Sequence, residues 1–167
     1  MKAETIEKIF NFLKEKEGKE LPGSWFASIR KLNLIKELEN HPDNIRYIHE
    51  GDLDLSYSII TKLPNDLHVD GGLYLDHCKQ ITKLPDKLHV GGAFDISYSN
   101  VTKLPNNLYV GDHLWLVHTN ISEIPNNLCV DGDLYAYNTP LADKYTNVKL
   151  RKMIKSKGGT LIGKISR

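Results

Sequence analysis

The stretch TKLPNDLHVDGGLYLDHCKQITKLPDKLHVGGAFDISYSNVTKLPNNLYV, residues 61–110, gives one pattern more than twice. Aligning the chain on its leucine-proline pairs puts Leu63-Pro64, Leu84-Pro85, Leu104-Pro105 and Ile124-Pro125 in one column, at spacings of 21, 20 and 20 residues. A period this short is the signature of a solenoid, in which each unit is too small to bury its own apolar side chains and the stack supplies the core.

The apolar slots recur in step. Leu67, Leu88, Leu108 and Leu128 are followed by Val69, Val90, Val110 and Val130, then by Leu73, Phe94, Leu114 and Leu134. After these come Leu75, Ile96, Leu116 and Ala136, and last Ile81, Val101, Ile121 and Leu141. A degenerate earlier unit, GDLDLSYSIIT, fills the last three slots with Leu53, Leu55 and Ile60, which makes about five coils. Within a coil the frame L-x-V-x-G-x-L-x-L alternates with period two, a strand periodicity. Gly51, Gly71, Gly92 and Gly132, with Asp112 standing in once, mark a corner, so two short strands per coil are expected. Proline lacks an N–H and fixes φ, so the LPND and LPNN segments read as tight turns on the outer edge.

Each coil carries a small polar residue three places after its second leucine: Ser58, Cys78, Ser99, Thr119 and Thr139. Such a column is expected to bond the backbone of the neighbouring loop. The frame LxLxx(S/T/C)x(I/V)xxLPxxLxV resembles the leucine-rich repeat family, and its short LP-bearing unit is most similar to the bacterial-effector class and to repeat proteins encoded by large bacteriophages. The resemblance covers roughly residues 51–141, with Ser, Thr or Cys where Asn is common in the family. It implies an α/β repeat solenoid of parallel short strands whose concave sheet binds a partner.

The ends differ from the repeats. Residues 1–45 read as a helical N-terminal cap: Ile6, Ile9, Phe10 and Leu13 share one helical face ended by Gly18, and Trp25, Phe26, Ile29, Leu32 and Leu38 mark a second helix running to about Glu39. Residues 46–141 form the solenoid. Residues 142–167 form a basic cap of helix and strand, with Val148, Leu150 and Ile154 as the helix's apolar positions and Gly158-Gly159 as its end. All three are expected in one structural domain. The net charge is +1, yet the last segment holds eight basic residues against the single acid Asp143. That polarity allows a second reading, nucleic-acid contact through Lys149, Arg151, Lys152, Lys155 and Lys157.

Chemistry is sparse. There is no G-x-S-x-G elbow, phosphate-binding G-x-x-x-x-G-K-[ST] loop, H-E-x-x-H or C-x-x-C pair, so a non-enzymatic protein without cofactor is expected. His68 and His89 share one outward column, but that column continues as Tyr109 and Cys129 and offers no compact ligand set, so no metal is expected. Two cysteines at different repeat positions, Cys78 and Cys129, argue against a disulfide and for a reducing cytoplasm. No apolar run reaches membrane-spanning length, and the start MKAETIEKIF lacks the order of a signal peptide.

The outward positions of the second strand are more informative. They run Asp54, Tyr74, Asp95, Trp115, Tyr135, then Ser56, Asp76, Ser97, Val117, Tyr137, and beside these Tyr57, His77, Tyr98, His118, Asn138. Tyrosine and tryptophan bring large rigid area with a polar tip, the profile of interface anchors. The expected partner-binding face is Asp54, Tyr57, Tyr74, Asp76, His77, Asp95, Tyr98, Trp115, His118, Tyr135 and Tyr137, on a protein that is monomeric by itself. The resemblance implies a phage-encoded binder in a host bacterial cytoplasm, its partner a host protein such as a component of antiviral defence.

Overall fold

The computed structural model describes residues 23–167; the expected first helix, with Ile6 to Leu13, lies outside the described residues. The chain divides into two compact units, Met1–Asn40 and His41–Arg167. In the first, α1 (Gly23–Asn40) stops before Pro42, in keeping with the bias of a pre-proline residue against helix. Ile35 and Leu38 of α1 are buried.

The second unit is a parallel β-solenoid. Each coil contributes one strand to each of two sheets. Sheet I stacks β1 (Tyr47–His49), β3 (Leu67–Val69), β5 (His89–Val90), β7 (Tyr109–Val110), β9 (Cys129–Val130) and β11 (Thr160–Leu161) in that order. Sheet II stacks β2 (Leu53–Asp54), β4 (Leu73–Tyr74), β6 (Phe94–Asp95), β8 (Leu114–Trp115), β10 (Leu134–Tyr135) and β12 (Ile165–Ser166). Every pairing is parallel and in repeat register, as in His68↔His89 and Leu73↔Phe94. Four regular repeats therefore lie between a first and a last strand pair that come from irregular sequence. The last pair follows two helices, α2 (Pro140–Lys144) and α3 (Asn147–Ser156).

The recurrent apolar slots point between the sheets and are almost completely buried, Phe94 taking the place of a leucine in its coil. Each such side chain contributes roughly 1.5–3 kcal/mol on burial. The prolines depart from expectation. Pro64, Pro85, Pro105 and Pro125 are buried rather than placed on the outer edge. Proline has no N–H to leave unsatisfied, so it can face the core where another residue would bury an orphan donor. The turn is made by the two residues that follow, Asn107 and Asn127 adopting φ of 58° and 54°. Their side chains then bond from coil to coil, Asn127 Nδ2 donating to Asn107 Oδ1 at 2.8 Å.

The small polar column also behaves differently in detail. Thr119 and Thr139 donate to carbonyls of their own coil, Leu116 at 2.6 Å and Ala136 at 2.7 Å, while the Ser58 and Ser99 hydroxyls accept from Ile60 and Val101 N–H. Only Cys78 reaches the neighbouring coil's backbone, its Sγ donating to Leu55 O. Apart from Cys78, the column bonds within its own coil, through the carbonyl three residues back or the N–H two residues on. Both cysteines are free thiols.

Coil spacing is set at the corners. Gly71 N donates to Gly51 O at 3.0 Å, Gly92 N to Gly71 O at 2.9 Å, and Gly132 N to Asp112 O at 3.0 Å. Beside this row, a Cβ on Gly91 would sit 2.2 Å from Asp70 O, leaving no room for any side chain. Gly91→Ala is therefore expected to destabilise by about 1–3 kcal/mol through forced separation of two coils, measured as a lowered urea midpoint; an unchanged midpoint would mean the corner can spread.

Candidate functional site

Sheet II ends each coil in a four-residue turn. Its i to i+3 bonds run from Ser58 N to Leu55 O, Cys78 N to Leu75 O, Ser99 N to Ile96 O and Thr119 N to Leu116 O, at 3.1–3.2 Å. The third residue of every turn is left-handed: Tyr57, His77, Tyr98, His118 and Asn138 have φ between 53° and 58°. A type II turn takes Gly or Asn at this position, because a side chain there crowds its own backbone. Four of the five turns instead carry a ring.

The neighbours hold these rings in place. Each of the four ring-bearing residues donates its N–H across to the next coil, Tyr57 to Asp76 O, His77 to Ser97 O, Tyr98 to Val117 O and His118 to Tyr137 O, at 2.8–3.0 Å. The side chains stack face to face, Tyr57 on His77 at 4.3 Å, His77 on Tyr98 at 4.6 Å and Tyr98 on His118 at 4.5 Å, all within 23° of parallel. His118 Nε2 and Asn138 Nδ2, 3.0 Å apart, continue the row, and Asp76 Oδ2 lies 3.0 Å from His77 Nδ1. Stacked rings present their edges to solvent. Tyr57 heads the row and is 71% exposed.

The strand column beside it holds Asp54, Tyr74, Asp95, Trp115 and Tyr135 in register. Asp54 and Asp95 each accept the N–H two residues on, from Ser56 at 2.9 Å and Ser97 at 2.8 Å, which fixes the entry to the turn. Trp115 stacks on Tyr135 at 5.3 Å and 6°, and His113 meets both edge-on. Tyr135 donates to Asp133 Oδ2 at 3.2 Å. Burial and the Asp133 bond raise the Tyr135 phenol above its usual range, while the Lys164 N–H holds the Asp133 carboxyl below its own. Tyr137 is exposed at the end of the middle column. Ser97 is not on the surface as expected: its short side chain is nearly covered between the coils of Asp76 and Val117.

Sequence reasoning missed Asp52, Ala93, Asp112, His113 and Asp133, which border the same face at its corner. Their signal was the variation within the glycine corner, GD, GG, GA, DH and GD in successive coils. That variation was masked by the constancy of the glycine column itself.

The outward column of sheet I is also stacked, His68 on His89 at 3.9 Å and His89 on Tyr109 at 4.7 Å. Tyr109 donates to Asp131 Oδ2 at 2.8 Å, which raises its phenol, while burial and then His68 lower the His89 imidazole. Among the described residues no group of three or more His, Cys, Asp or Glu is placed to hold a metal ion.

The basic residues of α3 and its C-cap, Lys157, divide into two kinds. Arg151 donates one guanidinium nitrogen to Leu161 O at 3.2 Å and the other to Gly163 O, while Asn147 Nδ2 donates to Ile165 O at 2.8 Å. Lys157 Nζ donates to Ile124 O at 2.8 Å. Arg151 and Lys157 thus serve the backbone. Lys149, Lys152 and Lys155 are exposed, and Leu150 and Ile154 face the core. Val148 is 65% exposed, since a residue two places before Leu150 falls on another side of a helix. Among the described residues no helix is long and apolar enough to cross a membrane. Compared with family models, curated proteins and solved structures, the chain matches none.

Two outcomes follow from this geometry. Tyr98→Gly loses the ring but relieves the left-handed backbone, whereas Tyr98→Ala loses the ring and keeps the conflict; Gly is expected to be the more stable by about 1 kcal/mol in urea titration, the reverse of its usual rank. For His89, the unfolded imidazole titrates near about 6.5 and the folded one lower. As pH falls through that window the unfolded chain takes up a proton that folded His89 refuses, so stability declines. The urea midpoint at pH 7.5 should exceed that at pH 5.5, and His89→Tyr, which keeps a ring in the stack, should shrink the difference.

Proposed function

We propose that this chain is a non-enzymatic protein-binding module that engages its partner through the outward face of sheet II. The observation that carries the reading is the row of rings at Tyr57, His77, Tyr98 and His118. Backbone strain of this kind costs about 1–3 kcal/mol per site, and it gathers where function requires a particular side chain. Asparagine at Asn138 fills the same turn at lower cost, so the frame alone gives no reason for tyrosine. Stacking offsets part of the strain. It also makes the row rigid, which lowers the entropy lost when a partner docks.

Supporting the reading, sheet II gathers aromatic area of the kind in which specific interfaces are enriched, and Asp54, Asp76 and Asp95 add charge that would select and steer a basic partner. The recess of about 380 Å³ between Thr82–Leu84 and Thr102–Asn106 lies on the return side of the coils, away from that face. The resemblance to bacteriophage-encoded and bacterial-effector leucine-rich repeats supports a host bacterial cytoplasm as the setting and, as the partner, a host protein such as a component of antiviral defence that the binder blocks. Nucleic-acid binding through α3 and its C-cap has weaker support, because two of the five basic side chains, Arg151 and Lys157, are bonded to the solenoid's own carbonyls.

Changing Tyr74, Trp115 and Tyr135 together to alanine is expected to abolish capture of the stoichiometric partner from host lysate, read by co-purification and mass identification. The variant should still melt cooperatively. Binding that survives the triple change while the protein stays folded excludes sheet II as the interface.

A further inference from the structure

Sheet II has a gap in its row of strand-borne rings. In the register Tyr74↔Asp95↔Trp115, the middle coil carries a carboxylate where its neighbours carry rings. Both rings lean toward the same corner. Tyr74 lies over Gly72, so closely that a Cβ there would be 2.7 Å from the phenol oxygen and 2.8 Å from Cζ. Trp115 meets His113 edge-on at 5.2 Å. The corner residue between Gly72 and His113 in the stack is Ala93, too short to fill the space. Tyr74 and Trp115 therefore stand two coil rises apart, about 9.5 Å, with Ala93 as floor and Asp95 at the side. Carbon contacts of about 3.5 Å against each ring leave room for one small polyatomic group.

The charge around the slot has one sign. Asp95 Oδ1 accepts Ser97 N–H, which leaves Oδ2, and no lysine or arginine is paired with it among the described residues. Asp52 Oδ1 accepts Gly72 N–H at 2.7 Å, and Asp112 Oδ1 lies 3.6 Å from His113 Nε2. The Tyr74 phenol is raised by burial and then by the negative charge of Asp52, Asp112, Asp95 and Asp54. The Trp115 ring has one face on Tyr135 and the other toward the gap. An aromatic face attracts a cation through its quadrupole, most strongly when the site is partly desolvated and a carboxylate lies alongside.

We propose that the slot between Tyr74 and Trp115 receives a lysine or arginine side chain of the protein partner, held by the ring faces and by Asp95. The inference rests on the reading of sheet II as the binding face and names the chemistry of what docks there. Complementary charge on the partner would also steer the encounter, making association faster at low salt.

The test uses the full chain in a Trp25→Phe background, so that Trp115 alone reports. Titration with hexalysine and hexaarginine peptides is expected to change Trp115 emission saturably, and hexaglutamate is expected to leave it unchanged. Asp95→Asn and Tyr74→Ala should each weaken peptide binding about tenfold, while Glu123→Gln, which removes one charge from the return side, should change it little. Equal weakening by Glu123→Gln, or no saturable response to either cationic peptide, overturns the slot. If the natural partner's binding is lost in Tyr74→Ala and unaffected in Asp95→Asn, the protein-binding face stands and the cation slot falls.

Discussion

The close approach of backbone to backbone at the corners is the constraint on which the remaining structure depends. With hydrogen bonds of 2.9–3.0 Å linking Gly71 to Gly51 and Gly92 to Gly71, neighbouring coils can separate only by the strand spacing of about 4.7–4.9 Å. Side chains in one column then meet at a fixed distance whatever their type. Apolar side chains at that distance pack into a core, and amides at that distance bond, as Asn107 and Asn127 do. Planar rings stack, at the 3.9–4.7 Å observed in the His68 and Tyr57 rows. The ring rows are thus a result of coil spacing, and the spacing is a result of glycine.

The same constraint separates frame from face. Leu, Val, Ile and Pro residues point inward and are nearly invariant from coil to coil, so they state only that the coils stack. The residues that differ, Tyr74, Asp95 and Trp115 or Ala93 and His113, lie outside the packed core and escape its demand for one apolar shape. That freedom is what lets one column hold a ring, a carboxylate and another ring in succession, and so create a gap that no single coil contains.

Much of this was legible in the sequence. Period-two alternation between Val69 and Leu75 revealed the two strands, and the columns named the face, because inward and outward positions are fixed once the register is known. Three features were hidden. The left-handed turns escaped notice because Tyr and His are poor residues for that conformation, and propensity pointed away from the answer. The prolines were misplaced because their missing N–H was read only as the mark of an edge turn, when it also lets them face the core without burying an unsatisfied donor. Arg151 was counted with the cations of α3, since no local pattern tells a side chain that caps carbonyls from one that faces solvent. The slot at Asp95 needed both the register and the lean of two rings toward one corner, and only the latter is absent from the alignment of repeats.

The in-register stack also governs how this surface could change. A substitution alters one square of the face, but any change in the length of what it recognises must come in whole coils, each adding or removing about 4.8 Å. Loss of the 20-residue unit that carries Trp115 would set Asp95 directly against Tyr135 while every inward column still closed on an apolar side chain, Phe94 on Leu134 and Ile96 on Ala136. Recognition through the proposed face would therefore be quantised in reach while remaining continuous in chemistry, much like a ruler whose marks can be repainted but whose divisions cannot be moved.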